Sequence, residues 1–269
     1  MKKLLLLFML IFGFSSLLYS QDDQVDYLKF EKEYAPDEIN APYFGIGMGY
    51  TGSFNIINNL DEINDKLISF GFTEDAISQS LYLNGFELFT SIPYLKNVKI
   101  GFNYSNGSQL IKYSSLLPEN ENISISHTAS LQLRYIGANI NYCFTPYKNL
   151  AINPGFSFGE GKINMNIGES TNGIAWGDIQ SGNTAHNYNY TISGGFIYLQ
   201  PELNIEYSFT PWLLGRIGAS YNLSLMNLGM FSDNDWMLNK TTKIDGMDDI
   251  NADGLMFEVG IYVGLFNIN

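Results

Sequence analysis

The chain has very few of the residues on which disulfide frameworks and histidine chemistry depend. Cys143 is its one cysteine, which excludes an internal disulfide, and it lies too far from the N-terminus to carry the lipid anchor of a mature lipoprotein. Histidine occurs twice, as His127 and His186. A histidine-dependent hydrolase would therefore have two candidates for its general base.

Charge is scarce and mostly of one sign. Only 15 % of the residues are charged, and 27 acidic residues outnumber 14 basic ones, for a net charge of −13. Binding to nucleic-acid phosphates needs clustered Lys and Arg, which this balance does not supply. The sequence therefore predicts no nucleic-acid partner.

Long apolar runs are missing as well. The longest one follows two lysines, is unbroken from Leu4 to Ile11 and continues weakly through Leu18. It is shorter than the roughly 20 residues of a membrane-spanning helix. This layout is that of a secretory signal peptide, so we expect residues 1–20 to be removed by a cut after Ser20. Residues 21–41 are acidic and lack period-two order, which predicts a periplasmic N-terminal tail.

Aromatic residues and alternating segments are abundant instead. The 18 Tyr and 19 Phe fit the interfacial girdles of transmembrane β-barrels. Short turns at residues 93–96, 145–148 and 210–212 join pairs of alternating stretches, whereas the other connections are long, as is typical of such barrels. The sequence predicts one all-β domain, residues 42–269, forming an eight-stranded antiparallel up-and-down transmembrane β-barrel with short periplasmic turns and long extracellular loops.

The first long connection changes from strand to helical spacing. Leu60, Ile63, Leu67 and Phe70 recur three or four residues apart, which predicts a helix within residues 58–80. Because the polar face of this helix is acidic, we favour packing of its apolar side over the barrel mouth. A helix on the membrane surface is the alternative.

Two predicted strands change the side on which their apolar residues lie. In the fourth strand, the odd-numbered residues from Ile125 to Tyr135 are mostly apolar, and the even-numbered residues take over from Ile136 to Phe144. A one-residue slip exchanges the faces of a strand, so the switch predicts a β-bulge near Tyr135, and a similar switch predicts another near residues 159–161. Several strands exceed the roughly 9–11 residues that cross a bilayer, so we expect them to project on the long-loop side.

The closing strand carries a pattern found at the end of outer-membrane barrels. Glu258, Gly260, Val263 and Leu265 follow the order polar-x-Gly-x-x-hydrophobic-x-hydrophobic. With the signal peptide and the strand number, this pattern resembles the small bacterial outer-membrane barrels of the OmpA/OmpX type over nearly the whole mature chain. The resemblance implies integral insertion into the cell outer membrane by the barrel-assembly machinery, with outer-membrane lipids around the barrel. One departure is that Phe266 is followed by three more residues, whereas members of the family usually end on an aromatic residue.

The predicted barrel interior collects charged side chains in a low-dielectric environment, where they must pair. One hypothesis is a structural polar core of paired ions, because about eight strands leave a lumen that side chains nearly fill. The alternative is a gated or narrow ion path along the pairs. The predicted lumen network consists of Glu87, Lys99, Arg134, Lys162, Glu202, Glu206, Arg216 and Glu258.

The last long loop contains half of a calcium-binding pattern. Asp249, Asn251, Asp253 and Gly254 match the first half of a calcium loop, in which closely spaced oxygens surround the cation and glycine makes the sharp turn. Gly260 stands where the bidentate acid is required, which excludes a full EF-hand. The two interpretations are calcium binding and an acidic loop whose residues simply make turns. No other cofactor is predicted.

Neither histidine has a convincing catalytic partner in the sequence. Ser126 and Thr128 flank His127, but adjacent residues of a strand point to opposite faces, so Ser126 could not be the nucleophile. His186 lies in a polar loop. We therefore predict no catalytic residue.

The leading hypothesis is a non-enzymatic outer-membrane β-barrel with a filled polar interior that displays surface loops for envelope integrity, adhesion or binding of an unknown ligand. A small passive channel is one alternative, and a barrel enzyme that modifies lipids through His127 is another. A soluble secreted barrel is the structural rival, although an apolar outer band would make it prone to aggregate in water.

Overall fold

The computed structural model describes residues 43–58, 60–72, 77–117, 120–171, 188–225, 236–244 and 252–267. The predicted signal peptide and N-terminal tail lie outside these ranges, and so do His186, Asp249 and Asn251. Across the described ranges, no helix has the length and apolar character needed to cross a membrane.

The described residues form eleven strands and one helix. The strands are β1 Phe44–Ile57, β2 Ser80–Ser91, β3 Val98–Leu117, β4 Asn120–Tyr142, β5 Phe144–Tyr147, β6 Leu150–Thr171, β7 Tyr188–Thr210, β8 Leu213–Leu225, β9 Trp236–Leu238, β10 Thr242–Ile244 and β11 Gly254–Asn267, and the helix is α1 Asp61–Ser69.

Eight of these strands close into an antiparallel ring in the order β1-β2-β3-β4-β6-β7-β8-β11. β1 closes the ring by pairing with β11 along its whole length, from Phe44 opposite Asn267 to Ile57 opposite Gly254. The remaining strands are additions: β5 lies in the turn between β4 and β6, and β9 pairs with β7 and carries β10 on its other edge. The predicted eight-stranded barrel is confirmed.

The ring strands fall into two length classes. β1, β2, β8 and β11 have 12 to 14 residues, whereas β3, β4, β6 and β7 have 20 to 23. A membrane crossing takes about 9–11 strand residues. The four long strands therefore project beyond the membrane as an extension, which begins at the cross-strand row Asn106, Arg134 and Lys162.

Below this row, the outer surface of the ring is an apolar belt. Outward-facing apolar side chains from every ring strand contribute to it. The belt includes Ile46, Met48, Phe86, Leu88, Ile100, Phe102, Ile136, Ile140, Phe156, Phe158, Leu203, Ile205, Ile217, Phe257, Val259, Ile261 and Val263. Such a continuous band suits contact with lipid and would be a liability in water.

The predicted β-bulge near Tyr135 is wrong. The register of β4 against β6 runs unbroken through Tyr135, and β4 against β3 shifts only near Leu117. Odd-numbered residues of β4 point inward on both sides of Tyr135, from the buried Leu131 to the buried Asn139. What changes is the medium outside the barrel. Where the barrel meets lipid, the polar residues lie inside, and where it meets water, they lie outside. The polar face therefore changes from the inner to the outer one, while the same odd-numbered residues point inward along the strand.

The same inversion occurs in β6, where a second switch of phase was predicted at residues 159–161. The pairing of β6 with β4 and β7 continues through this segment without a shift, so that prediction is wrong for the same reason. Phe156 and Phe158 face outward below the boundary, and Ile163 and Met165 are buried inside above it. Gly161 allows the buried Phe196 to cross the interior, because a Cβ at this position would lie 2.0 Å from the Phe196 ring.

The outer surface of the extension carries a network of amides and hydroxyls. Gln132 Nε2 donates to Asn106 Oδ1 at 3.1 Å, and Thr191 Oγ1 donates to Asn166 Oδ1 at 2.9 Å. Asn166 Nδ2 donates in turn to Ser130 Oγ at 3.2 Å. These bonds link four strands on a surface that suits water.

Helix α1 closes the mouth of the extension, as predicted from its spacing. Leu60, Ile63 and Leu67 are at most 2 % exposed and belong to the apolar core that fills the extension. Gly71, with φ +89°, ends the helix in the left-handed conformation, and the Phe72 N–H returns to Leu67 O at 3.2 Å. The alternative of a helix on the membrane surface does not apply.

Candidate functional site: a sealed lumen

Four charged side chains meet in the membrane-spanning part of the lumen. Lys99 Nζ lies 2.5 Å from Glu206 Oε1, and Arg216 Nε donates to the same oxygen at 2.7 Å. Arg216 Nη1 also donates to Glu87 Oε2. β2, β3, β7 and β8 each contribute one side chain, all at most 4 % exposed. Two acids and two bases thus form a balanced ion cluster in which Arg216 joins both acids.

Neutral donors add hydrogen bonds to both carboxylates of the ion cluster. Tyr262 Oη donates to Glu87 Oε2 at 2.8 Å, and Asn139 Nδ2 donates to Glu87 Oε1 at 2.9 Å. Tyr43 Oη donates to Glu206 Oε2 at 2.9 Å. A buried ion pair is tolerated only when such additional bonds replace the lost hydration.

Aromatic rings pack against the two cations of the ion cluster. The Phe89 ring centre lies 4.6 Å from Lys99 Nζ, and the Tyr262 ring centre lies 4.3 Å from Arg216 Cζ. Cation–π contacts of this kind favour a charge that has lost its water. The ion cluster is therefore a packed plug.

Two further predicted acids, Glu202 and Glu258, face inward one layer nearer the extension. Ser157 Oγ donates to Glu202 Oε2 at 3.1 Å. Both acids line a cavity of about 30 Å³, which exceeds the ~10–15 Å³ that one water needs. This volume accommodates one or two waters, and the buried Tyr135, Tyr198 and Met256 bound it.

The structure contradicts the inward placement of two predicted lumen residues. Arg134 and Lys162 are cross-strand partners at the base of the extension and point outward. Their inward placement assumed that the polar residues of β4 and β6 face the lumen along the whole strand. Above the membrane boundary the polar side of these strands is the outer one.

Sequence reasoning missed the neutral members of the ion cluster, which are Tyr43, Phe89, Asn139 and Tyr262. Strand parity could have found three of them, because Phe89 lies two residues after Glu87, Tyr262 lies four after Glu258, and Asn139 is inward within β4. Tyr43 precedes β1, and no pattern in the sequence points to it.

Of the predicted calcium ligands, only Asp253 is among the described residues. Its Oδ1 accepts hydrogen bonds from Ser224 N and Ser224 Oγ, both at 2.6 Å, and the residue is 6 % exposed. Asp253 thus joins the end of β8 to the start of β11. Within the described ranges, no group of three or more His, Cys, Asp and Glu residues could hold a metal ion, and calcium binding by Asp249, Asn251 and Asp253 stays a prediction.

His127 lies at the mouth of the extension among polar partners that the sequence did not reveal. Ser115 Oγ is 3.4 Å from His127 Nε2, and Glu169 Oε2 is 3.5 Å from His127 Nδ1. Tyr188 Oη donates to Glu169 Oε2 at 3.1 Å. Burial and the Glu169 carboxylate raise the pKa of Tyr188 to about 12. Ser126 lies on the outer face, as expected.

No protein-family model and no curated protein matches the chain. Solved structures show a distant similarity. Ail, the attachment invasion locus protein of Yersinia pestis, is 11 % identical with a TM-score of 0.35, and the match covers 84 % of this chain and 98 % of that one. A major outer membrane protein from Thermus thermophilus is 10 % identical with a TM-score of 0.39, covering 82 % and 99 %. The outer membrane protease OmpT from Escherichia coli is 12 % identical with a TM-score of 0.30, covering 84 % and 95 %. With TM-scores this low, the fold rests on the closed strand ring of the chain itself.

Proposed function

We propose that the chain is an integral outer-membrane barrel that is closed to ions and displays its strand extension at the cell surface, for envelope integrity, adhesion or binding. The observation that carries this proposal is the double seal of the lumen. The ion cluster of Glu87, Lys99, Glu206 and Arg216 crosses the lumen in the membrane-spanning part, and an apolar core with α1 fills the extension.

The apolar belt and the strand ring support the proposed location. A closed ring leaves no unpaired edge, which is a requirement for strands in lipid. In this proposal the signal peptide is cleaved after Ser20, the barrel-assembly machinery inserts the barrel from the periplasm, and lipids surround the belt. Partition into detergent together with heat-modifiable gel mobility supports an integral barrel, and recovery in buffer as a soluble monomer contradicts it.

The closed lumen is tested by conductance in planar bilayers. We expect no conductance above background from the wild-type barrel, because two unrelated packings block the lumen. Arg216→Gln alone is also expected to stay silent, since the apolar core remains. Steady wild-type conductance that changes with Arg216→Gln or Glu202→Gln would instead establish the passive channel.

Display of the extension is tested by labelling intact cells with a membrane-impermeant maleimide. Cys143 is buried and is replaced by serine to give a cysteine-free background. In that background, Ser108→Cys places a thiol on the outer face of the extension, and Leu95→Cys places the matched control in the exposed turn between β2 and β3. We expect labelling of Ser108→Cys alone. Labelling of Leu95→Cys alone would place the extension in the periplasm.

A further inference from the structure

Three side chains at the mouth of the extension follow the order nucleophile, base and acid. Ser115 lies on β3, His127 on β4 and Glu169 on β6, and all three point inward on adjacent strands. Ser115 Oγ faces His127 Nε2 at 3.4 Å, and Glu169 Oε2 faces His127 Nδ1 at 3.5 Å. One ring nitrogen of the histidine thus faces a hydroxyl and the other faces a carboxylate, which is the arrangement that activates a serine.

The surroundings hold these groups in place. Tyr113 stacks on the imidazole with ring centres 6.2 Å apart, and Phe72 contacts it edge-on at 5.9 Å. His127 is 8 % exposed, its Nδ1 makes no hydrogen bond to any described residue, and the Glu169 carboxylate lies 3.5 Å from that nitrogen. Hydrogen bonds between catalytic groups are often long in the absence of substrate.

We propose that Ser115, His127 and Glu169 form a nucleophilic hydrolase site for small water-soluble carboxylic esters. Ser115 Oγ attacks the ester carbonyl carbon while His127 Nε2 takes the hydroxyl proton. The bond from the carbonyl carbon to the alcohol oxygen breaks, and Nε2 returns the proton to the leaving alcohol. Water, deprotonated by the same nitrogen, then attacks the acyl carbon. The bond from this carbon to Ser115 Oγ breaks, Nε2 returns the proton to Oγ, and the acid leaves. Glu169 is a positioning residue that keeps the proton on Nδ1 and stabilises the imidazolium.

The location selects the substrate class. His127 precedes Arg134, where the apolar belt ends, by seven residues along β4, which is about 23 Å of strand at ~3.3 Å per residue. A lipid ester in the bilayer would not reach Ser115 across this distance. The site opens instead toward the aqueous end of the extension, where Ser115 is partly exposed. This differs from the lipid-modifying alternative predicted from sequence.

The first test is covalent labelling of the folded wild-type barrel with a fluorophosphonate, which forms a P–O bond to an activated serine and releases fluoride. We expect one adduct, mapped by peptide mass spectrometry to Ser115. Ser115→Ala abolishes it, and His127→Gln slows it by at least about 100-fold. Ser114→Ala is the matched control, because the neighbouring side chain points outward, and it labels like the wild type. A folded wild-type protein without an adduct at Ser115 overturns the proposal, whatever the variants do.

The second test is hydrolysis of p-nitrophenyl acetate against p-nitrophenyl palmitate. We expect turnover of the acetate and at least tenfold lower kcat/KM for the palmitate, and the reverse preference would refute the assignment to soluble esters. Glu169→Gln is expected to lower kcat with KM unchanged within twofold, and Glu169→Asp to restore part of the loss. Because conductance and surface labelling do not involve Ser115, failure of this proposal leaves the proposed display function standing.

Discussion

Replacing Arg216 by methionine should destabilise the barrel through Glu87 more than through Glu206. Arg216 is the one cation that contacts Glu87, which otherwise accepts bonds only from the neutral Tyr262 and Asn139 among the described residues. Glu206 keeps Lys99 at 2.5 Å. Breaking a buried pair by removing one partner costs about 3–5 kcal/mol. We expect Arg216→Met to lower the free energy of unfolding by this amount, mostly because Glu87 becomes an unpaired buried charge.

Two double variants distinguish the effect of the Arg216–Glu87 contact on stability from the effect of the net charge of the lumen. Arg216→Met with Glu87→Gln leaves Glu206 paired with Lys99, and the introduced amide oxygen can still accept from the neutral donors. Arg216→Met with Glu206→Gln has the same net charge. It leaves Glu87 without a cation, and it removes the carboxylate with which Lys99 forms an ion pair. We expect the first double variant to recover at least about 2 kcal/mol of the single-variant loss, a coupling typical of side chains in contact. The second should recover nothing.

The measurement is urea unfolding of the refolded barrel in lipid vesicles, followed by tryptophan fluorescence and by gel mobility. The free energies are compared at equal slopes, because a changed slope means a changed surface exposure on unfolding. Equal recovery in both double variants would show that only the net charge of the lumen counts. Full additivity of the single losses would show that Arg216 and Glu87 are not energetically coupled, and either result refutes the reasoning.

Three further predictions concern the extension. Leu67→Ala, in the buried face of α1, should cost about 2–5 kcal/mol of unfolding free energy in the same assay, whereas Ile68→Ala, at a 42 % exposed position of that helix, should stay within about 0.5 kcal/mol. Gly161→Ala should cost about 1–3 kcal/mol, since its Cβ would clash with the Phe196 ring, and Phe196→Leu should relieve part of the cost, which a double-variant cycle measures. Because the folded pKa of Tyr188 is raised from 10.0 to about 12, the unfolded chain loses this proton first, and stability should fall as pH rises from 10 to 12. Urea titrations across that range should show a shallower fall for Tyr188→Phe, and an unchanged slope would contradict the raised pKa.

The architecture could be read from the sequence because it depends on simple periodicities. Strand number, the short turns and the helix beginning near Leu60 all follow from period-two and period-3.6 patterns, and the structure confirms them. The two β-bulges were wrongly predicted because the alternation of residues shows which face of a strand is polar. It does not show whether that face points into the barrel or outward. The polar face points inward where the barrel meets lipid and outward where it meets water, so its direction can be inferred only when the surrounding medium is known. In β4 and β6 that medium changes within one strand.

The sequence predicted site residues correctly where the alternation of strand residues alone decides which side chains face the lumen. Glu87, Lys99, Glu206 and Arg216 were found because inward parity in the membrane-spanning part places charges in the lumen, and the structure brings them together. Arg134 and Lys162 were misplaced where polarity inverts. Contact between Ser115, His127 and Glu169 depends on the register of β3 against β4 and of β4 against β6, which neither composition nor spacing specifies.

The change of polarity along the long strands also explains why the two seals of the lumen, the ion cluster and the apolar core, are independent. In β4 the outer face changes from Ile136 to Arg134, and in β6 it changes from Phe158 to Glu160, which pairs with Ile136. The change therefore occurs within one cross-strand row of the same level in the two strands, where lipid gives way to water. Below it, burial against lipid forces polar groups inside, and they must neutralise one another as an ion cluster. Above it, water takes the polar groups, and the interior fills with apolar side chains and α1. Opening a path through the barrel would require disrupting both cores, and a single lumen charge reaches only one.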